Sequence, residues 1–370
     1  MKSYYKELKI TILDEYFYHI IVGRNVLERL KDFLRTAYFN PKLAIVGKGV
    51  HDNFPNLTSE LQRVFEDVMV IEDGEKSKEL ETALYIIEKL WERKASRWDA
   101  IACASGGSLC DTVGFAASIY MRGIPFVQIP TTLLAMIDSS LGGKTAVNYK
   151  GTKNIIGSFY HPSIVASDLR FIETLPERVY LSSLAEALKY GFTLSEDYLS
   201  FLVNNRKEII SRRDDEVMEL VLRASKLKLD VVREDPRERK GIREVLNYGH
   251  TVGHALESGS KYELLHGEAV ALGMIVETKY YDKINGTELD KIVSKVISDY
   301  EILKFVNLNS VCEIEEEAYT SYILRDKKRI GDRIRVPVLL GIGRWELREL
   351  PVTSFAKETY SILKSEICKN

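Results

Sequence analysis

The chain has 370 residues, 45% of them hydrophobic, which is enough to bury a large core and favours two domains over one. Lys and Arg number 52 against 54 Asp and Glu, a net charge of −2, so neither nucleic acid nor an anionic membrane is expected as a partner, although clustered cations could still hold a small phosphate. Four cysteines without CxxC spacing predict neither a disulfide framework nor a cysteine zinc site, and they fit a reducing cytoplasm. With no basic-then-apolar leader and no run of about eighteen apolar residues, a soluble, unexported protein is expected.

Residues 7–23 read as two short alternating strands broken near Asp14-Glu15, forming an antiparallel edge. Apolar runs at 43–47, 68–72, 99–104 and 125–130 then alternate with helical-period segments such as 77–96, which predicts a Rossmann-like parallel sheet with crossover helices. Between a predicted strand and a predicted helix lies ASGGSLCD (104–111), a glycine-containing turn that could offer backbone N–H groups to a pyrophosphate. It is not GxGxxG, and an ordinary strand-to-helix turn explains it as well. The stretch 129–154 packs Asp138, Lys144, Lys153, Asn154 and several hydroxyls into a segment of little periodicity. These are either solvated loop residues or the lining of a polar-ligand site.

Beyond Leu175-Pro176, amphipathic patterns dominate at 180–193, 195–211, 214–234, 244–258, 267–284 and 288–304. A hairpin is predicted over 334–351 and a last helix from Val352 to Cys368. The expected division is therefore an α/β nucleotide-type domain over 1–175 and a mainly helical domain over 176–370. The helical half holds the densest signal: LNYGHTVGHALESGSKYELLHGE (246–268) carries three of the six histidines, His250, His254 and His266. His250 and His254 share a helix face at i,i+4, and Gly249 and Gly253 leave room beside them, so the cluster is a metal-site candidate. A catalytic zinc takes three protein ligands and keeps one position open, so an acidic ligand is needed elsewhere. Glu186 in AEALKYG, flanked by apolar residues, is a candidate, while Glu186 and Lys189 at i,i+3 also read as a surface ion pair.

The strings TVGFAASIYMRGIPFVQIPTTLLAMIDSSLGGKTAVN, GTKNIIGSFY, TLPER, AEALKYG, GIREVLNYGHTVGHALE, LHGEAVALGM and RDKK occur in this order, within a match that runs from about Asp73 to Lys328. Together they resemble the 3-dehydroquinate synthases of the shikimate pathway, within the sugar-phosphate cyclases. The resemblance implies zinc, or cobalt in its place, held by Glu186, His250 and His266, with His254 beside the metal as a proton-transferring group. It implies catalytic roles for Lys144, Asp138, Asn154 and Lys189, and substrate contacts from Arg122, Lys153, Lys228, Arg243, Asn247, Lys327 and Lys328. NAD-contacting positions are implied at Glu75, Lys78, Gly106, Gly107, Asp111, Thr131, Thr132 and Thr174, with Lys144 and Lys153 also near the cofactor. The implied partner is a small sugar phosphate; a homodimer is possible, and the sequence does not give the oligomeric state.

The implied reaction converts 3-deoxy-D-arabino-heptulosonate 7-phosphate to 3-dehydroquinate and phosphate. It runs through transient oxidation by NAD, phosphate elimination, re-reduction and aldol closure, in the cytoplasm. Two other readings compete: a cyclase of the deoxy-inosose or valiolone type, and a metal-dependent polyol or glycerol-phosphate dehydrogenase. The many cations argue against a substrate without a carboxylate. The chain departs from the family's glycine-rich loop at Ser105 and Cys110, where a side chain is expected to crowd a pyrophosphate or to oppose a positive φ.

Overall fold

The structure, a computed structural model, describes residues 4–13, 16–326 and 329–368. The chain forms two compact units, one comprising the chain up to Leu175 together with Asp214–Arg237, the other Pro176–Arg213 and the chain from Glu238 onward.

In the first unit, strands β1 (Tyr4–Leu13) and β2 (Tyr16–Arg24) follow one another directly, and from β2 onward helices separate β3 (Asn40–Gly47), β4 (Asp67–Ile71), β5 (Asp99–Ser105) and β6 (Phe126–Pro130). After the hairpin β7 (Lys144–Tyr149) and β8 (Thr152–Phe159) comes β9 (Ile164–Asp168). The sheet order is β1-β2-β9-β6-β5-β3-β4, parallel throughout except for the antiparallel β1–β2 edge. Every residue of β5 and β6 is buried, as expected for strands covered on both faces. Leu43, Ile45, Ile101, Cys103 and Phe126 pack against Ala83, Ile86 and Leu90 of the helix Leu80–Glu92 and Val113 of the helix Gly107–Ile119.

The aperiodic stretch 129–154 resolves into a π-helical turn, Ala135–Ser139, followed by the β7–β8 hairpin. Lys150 and Gly151 both have positive φ (49° and 75°), as in the two-residue turns that match strand twist.

One assignment is corrected. The helix Asp214–Glu234 was expected in the helical half, yet it belongs to the first unit and packs on β1, β2 and the π-helical turn. Its amphipathic period required an apolar partner without saying which, and those elements cover its stripe of Val217, Leu220, Val221, Ala224 and Lys228.

The second unit is mainly helical. Helix Glu177–Leu194 is buried along 180–193, and helices His250–Gly259 and His266–Asn285 lie close together. A Cβ on Gly273 would fall 1.9 Å from the Gly249 carbonyl oxygen, so only glycine permits that approach. Strands β10 (Arg329–Ile330), β11 (Arg333–Gly341) and β12 (Arg344–Pro351) form an antiparallel sheet, followed by the helix Val352–Ile362.

The cysteine expectation is also corrected, since Cys103 is disulfide-bonded to Cys110 and Cys312 to Cys368. Separations of 7 and 56 residues follow no spacing rule, because pairing was decided by which backbones the fold brings within reach. Among the described residues, no helix is long and apolar enough to cross a membrane.

Candidate metal centre and nucleotide crevice

Glu186 occupies the middle of the helix Glu177–Leu194 and is completely buried. Its Oε1 lies 3.5 Å from His250 Nε2 and 3.6 Å from His266 Nε2. One ligand atom from each of Glu186, His250 and His266 fits within 4.8 Å of the others. Local structure fixes each imidazole. His250 opens its helix after Gly249, whose φ of 78° makes the turn, and the buried Glu277 carboxylate accepts the N–H groups of Gly249 and Val252 at 3.0 Å each. That carboxylate satisfies the helix N-terminus, favoured by both hydrogen bonding and the helix dipole. His266 opens the next helix, whose N-cap Leu265 donates its N–H to Glu268 at 2.8 Å, while Arg178 holds Glu268 with contacts of 2.7 and 2.8 Å.

His250 Nδ1 lies 3.1 Å from the Tyr248 carbonyl oxygen, which can only accept. The proton is therefore on Nδ1, and the Nε2 lone pair faces Glu186. Burial, followed by the charge of Lys189, holds the His250 pKa well below 6.5, so the ring is neutral. His266 behaves differently. Burial lowers its pKa, but the Glu186 and Glu257 carboxylates outweigh this and raise it to about 10 in the metal-free protein. Lys189 is buried and paired with Glu186, so the i,i+3 pair is internal rather than superficial. His254 is exposed, its ring centroid 5.3 Å from that of His250 and 6.1 Å from that of His266. Once metal binding displaces the His266 proton, two imidazole nitrogens and a carboxylate suit zinc or cobalt with one position left open. Arg243 is buried in the same unit, its Nε 3.3 Å from Glu238. Asn247 ends the short 3₁₀ helix that starts at Ile242. Lys327 and Lys328 lie outside the described residues.

In the first unit the chain runs from β3 outward to β4 and then returns to place β5 on the other side of β3, so the sheet order reverses between β3 and β5. Ligands of open α/β sheets bind outside the strand carboxyl ends at such a point. There Gly47 ends β3, Ser105 ends β5 and Gly106 follows it; a Cβ on Gly47 would meet Ser105 Oγ and Asp73 Oδ2 at 2.5 Å each. Asp73 also accepts the Gly49 N–H at 3.2 Å. The Gly47–Gly49 turn and Asp73 went unread in the sequence, since only the 104–111 glycines follow a motif-like strand-to-helix junction.

The expected conflict of Ser105 and Cys110 with a positive φ does not arise. Neither residue, nor Gly106 or Gly107, has a positive φ, and both side chains are 1% exposed. Ser105 points inward, and Cys110 is consumed by its disulfide to Cys103.

Several implied cofactor residues are joined by hydrogen bonds. Glu75 accepts from Asn148 Nδ2 at 2.8 Å and from Ser108 Oγ at 3.3 Å, and Asn148 accepts the Asn154 N–H at 3.0 Å. Lys78 Nζ donates to Asp111 at 2.6 Å, yet burial lifts the Asp111 pKa to about 6 against that pairing. Thr131 donates its N–H to the Ser105 carbonyl at 3.3 Å, and Thr132 Oγ1 accepts the Ala135 N–H at 3.1 Å. Lys228 Nζ reaches the Asp138 carbonyl at 2.7 Å and carboxylate at 2.5 Å, while Lys144 and Lys153 are exposed on the hairpin. Two residues stand apart: Thr174 bonds only locally, to the Phe171 carbonyl at 3.4 Å among the bonds seen, and Arg122 follows the C-terminal end of helix Gly107–Ile119, about 20 Å of helix from the glycine turn.

Comparison with known proteins agrees with this geometry. Family models described as 3-dehydroquinate synthase N-terminal and C-terminal match residues 68–182 and 183–329. The 3-dehydroquinate synthase of Sulfurisphaera tokodaii is 36% identical over 339 residues, covering 90% of this chain and 93% of the relative. That of Thermodesulfovibrio yellowstonii is 39% identical, covering 90% and 94%. Among solved structures, a 2-deoxy-scyllo-inosose synthase complexed with carbaglucose-6-phosphate, NAD+ and Co2+ superposes with a TM-score of 0.87 at 25% identity, over 96% of this chain and 100% of the other. With both halves matched by the family's models and relatives aligned over nine-tenths of its length, the chain belongs to the 3-dehydroquinate synthase family.

Proposed function

We propose that the protein converts 3-deoxy-D-arabino-heptulosonate 7-phosphate to 3-dehydroquinate and phosphate, as a carbon–oxygen lyase dependent on NAD and a divalent metal. The observation that carries this reading is the Glu186–His250–His266 set, two of its residues buried and His266 partly so, whose donor atoms fit one ion. When bound there, zinc or cobalt would polarise neighbouring substrate oxygens, and NAD at the β3/β5 crevice would take and return one hydride without net redox change.

The chain's own groups divide the remaining work. His254, exposed one turn beyond His250, carries protons to and from the substrate. Lys189 pairs with the Glu186 carboxylate and holds it in place as a ligand. Arg243 exchanges Glu238 for the substrate carboxylate, a planar oxyanion that its guanidinium grips with two N–H groups. Lys144, Lys153 and Lys228 supply cations for a phosphate, with Asp138 holding Lys228 in place. Asn154 and Asn247 position hydroxyls, Lys327 and Lys328 add substrate contacts, and Glu75, Lys78, Gly106, Gly107, Asp111, Thr131, Thr132 and Thr174 serve NAD. On this reading the first unit binds NAD and the second binds metal and substrate. We place the enzyme in the cytoplasm as a homodimer; its two disulfides match the practice of intracellular hyperthermophile proteins, which retain such bonds.

The test is phosphate release from the heptulosonate phosphate, glucose 6-phosphate and sedoheptulose 7-phosphate, each with and without NAD. Release from the first alone, requiring NAD and leaving the NADH absorbance flat, supports the proposal. Release from glucose 6-phosphate would favour the 2-deoxy-scyllo-inosose type, the second reading that the 0.87 superposition keeps open. Stoichiometric NADH would move the chain to the dehydrogenases.

A further inference from the structure

Both imidazoles of the metal set turn Nε2 toward Glu186, but different groups stand behind them. Behind His250 is the main-chain carbonyl of Tyr248, 3.1 Å from Nδ1. Behind His266 it is a side chain: Glu257 Oε2 lies 3.6 Å from His266 Nδ1. Glu257 sits on the helix His250–Gly259 one turn after His254, and both Glu257 and His266 are partly buried, with side chains 23% and 31% exposed. We propose that Glu257 is a positioning residue for the metal ligand His266, its carboxylate accepting the Nδ1 proton and so keeping the Nε2 lone pair on the metal side. The inference rests on the metal assignment above.

The physical need is specific to His266. A neutral imidazole has two tautomers, and a free ring would spend part of its time with the proton on Nε2, where no metal can bind. His250 cannot do so without leaving a backbone carbonyl unpaired. His266, first residue of its helix and partly open to solvent, has no such carbonyl at Nδ1 among the hydrogen bonds seen. A carboxylate placed there selects the tautomer and makes the ring a better donor, the arrangement that metal-binding histidines generally use. His254, Glu257 and His266 could themselves gather around an ion. That would require His266 to give up both ring protons to serve two metals at once, so the carboxylate is assigned as proton acceptor.

The test uses the full-length protein stripped of metal and titrated with Zn2+ and Co2+ against a chromophoric chelator, with wild type, Glu257→Ala and Glu257→Gln in parallel. The expected result is one metal per chain in all three, with affinity lowered 10–100-fold in Glu257→Ala, the usual cost of losing such a partner. Glu257→Gln should recover part of the loss, because its amide oxygen can still accept the Nδ1 proton, and the Co2+ absorption spectrum should keep its wild-type intensity. If Glu257→Ala fails to fold, the Gln variant decides: affinity between wild type and a tenfold loss supports the role. Unchanged affinity in both variants overturns the assignment, and loss of a second bound equivalent shows a second metal instead. If wild type binds no metal, the metal centre itself falls and this inference with it; if wild type binds and the variants match it, only this inference falls.

Discussion

The proposed metal cluster and the proposed nucleotide crevice are built on opposite principles. In the first, chemistry resides in side chains that are close in sequence: His250 and His254 share one helical face, and His266 follows a short loop later. In the second it resides in backbone and strand order. The crevice at the ends of β3 and β5 is made of Gly47, Ser105 and Gly106, whose neighbourhood depends on a sheet that assembles residues dozens of positions apart. A side-chain site can be destroyed by one substitution, whereas a backbone site should tolerate most changes that leave the turn conformation alone.

The largest expected effect sharpens the first half of that contrast. Glu186→Ala or His250→Ala should weaken zinc binding by more than about a thousandfold, beyond the 10–100-fold that an outer partner costs, and abolish turnover. Equilibrium dialysis with metal analysis reads this directly, and a triple variant still carrying one tight equivalent would show that the ion lies elsewhere. Close in size is the disulfide between Cys312 and Cys368, which spans 56 residues. Replacing both with serine should cost on the order of 4 kcal/mol in urea unfolding, against about 2 kcal/mol for the seven-residue Cys103–Cys110 loop, if chain entropy dominates. Equal losses would place the effect in native packing.

A third test concerns pH. Burial raises the Asp111 carboxyl to about 6, above the ordinary 3.8, despite the Lys78 contact. An acid whose folded pKa exceeds its unfolded value keeps its proton longer in the native state. Its contribution to stability is therefore full below about pH 4 and is lost as pH rises through 6. Asp111→Asn should flatten the fall of unfolding free energy between pH 4 and 7 by on the order of 2 kcal/mol. Parallel curves for wild type and variant would mean that Lys78 keeps Asp111 ionised throughout.

The smallest effect tests the tolerance of the crevice. Sequence reading expects Ser105→Gly together with Cys110→Gly to relieve crowding and tighten NAD binding. In the structure Ser105 is buried, points inward and has no positive φ, so its dissociation constant for NAD should change by less than about twofold, roughly 0.4 kcal/mol. Calorimetric titration that shows a tenfold gain would restore the crowding argument.

The alternation of strands and helices, the helical second half and the histidine cluster could all be read from the chain by itself, because hydrophobic period and i,i+4 spacing act over a few residues. The family's ordered motifs extended that reading to Glu186, about sixty positions before His250. Other features were settled only by contacts distant in sequence. Helix Asp214–Glu234 joined the first unit, since its apolar stripe accepts whichever partner the fold supplies. Four cysteines with no spacing pattern became two disulfides. Glu277 became a helix cap, and Glu257 came to stand behind His266 rather than on open surface. A carboxylate in a helical pattern looks the same from its neighbours whether it faces water, a helix terminus or an imidazole, and only the packing of one helix against another assigns its partner.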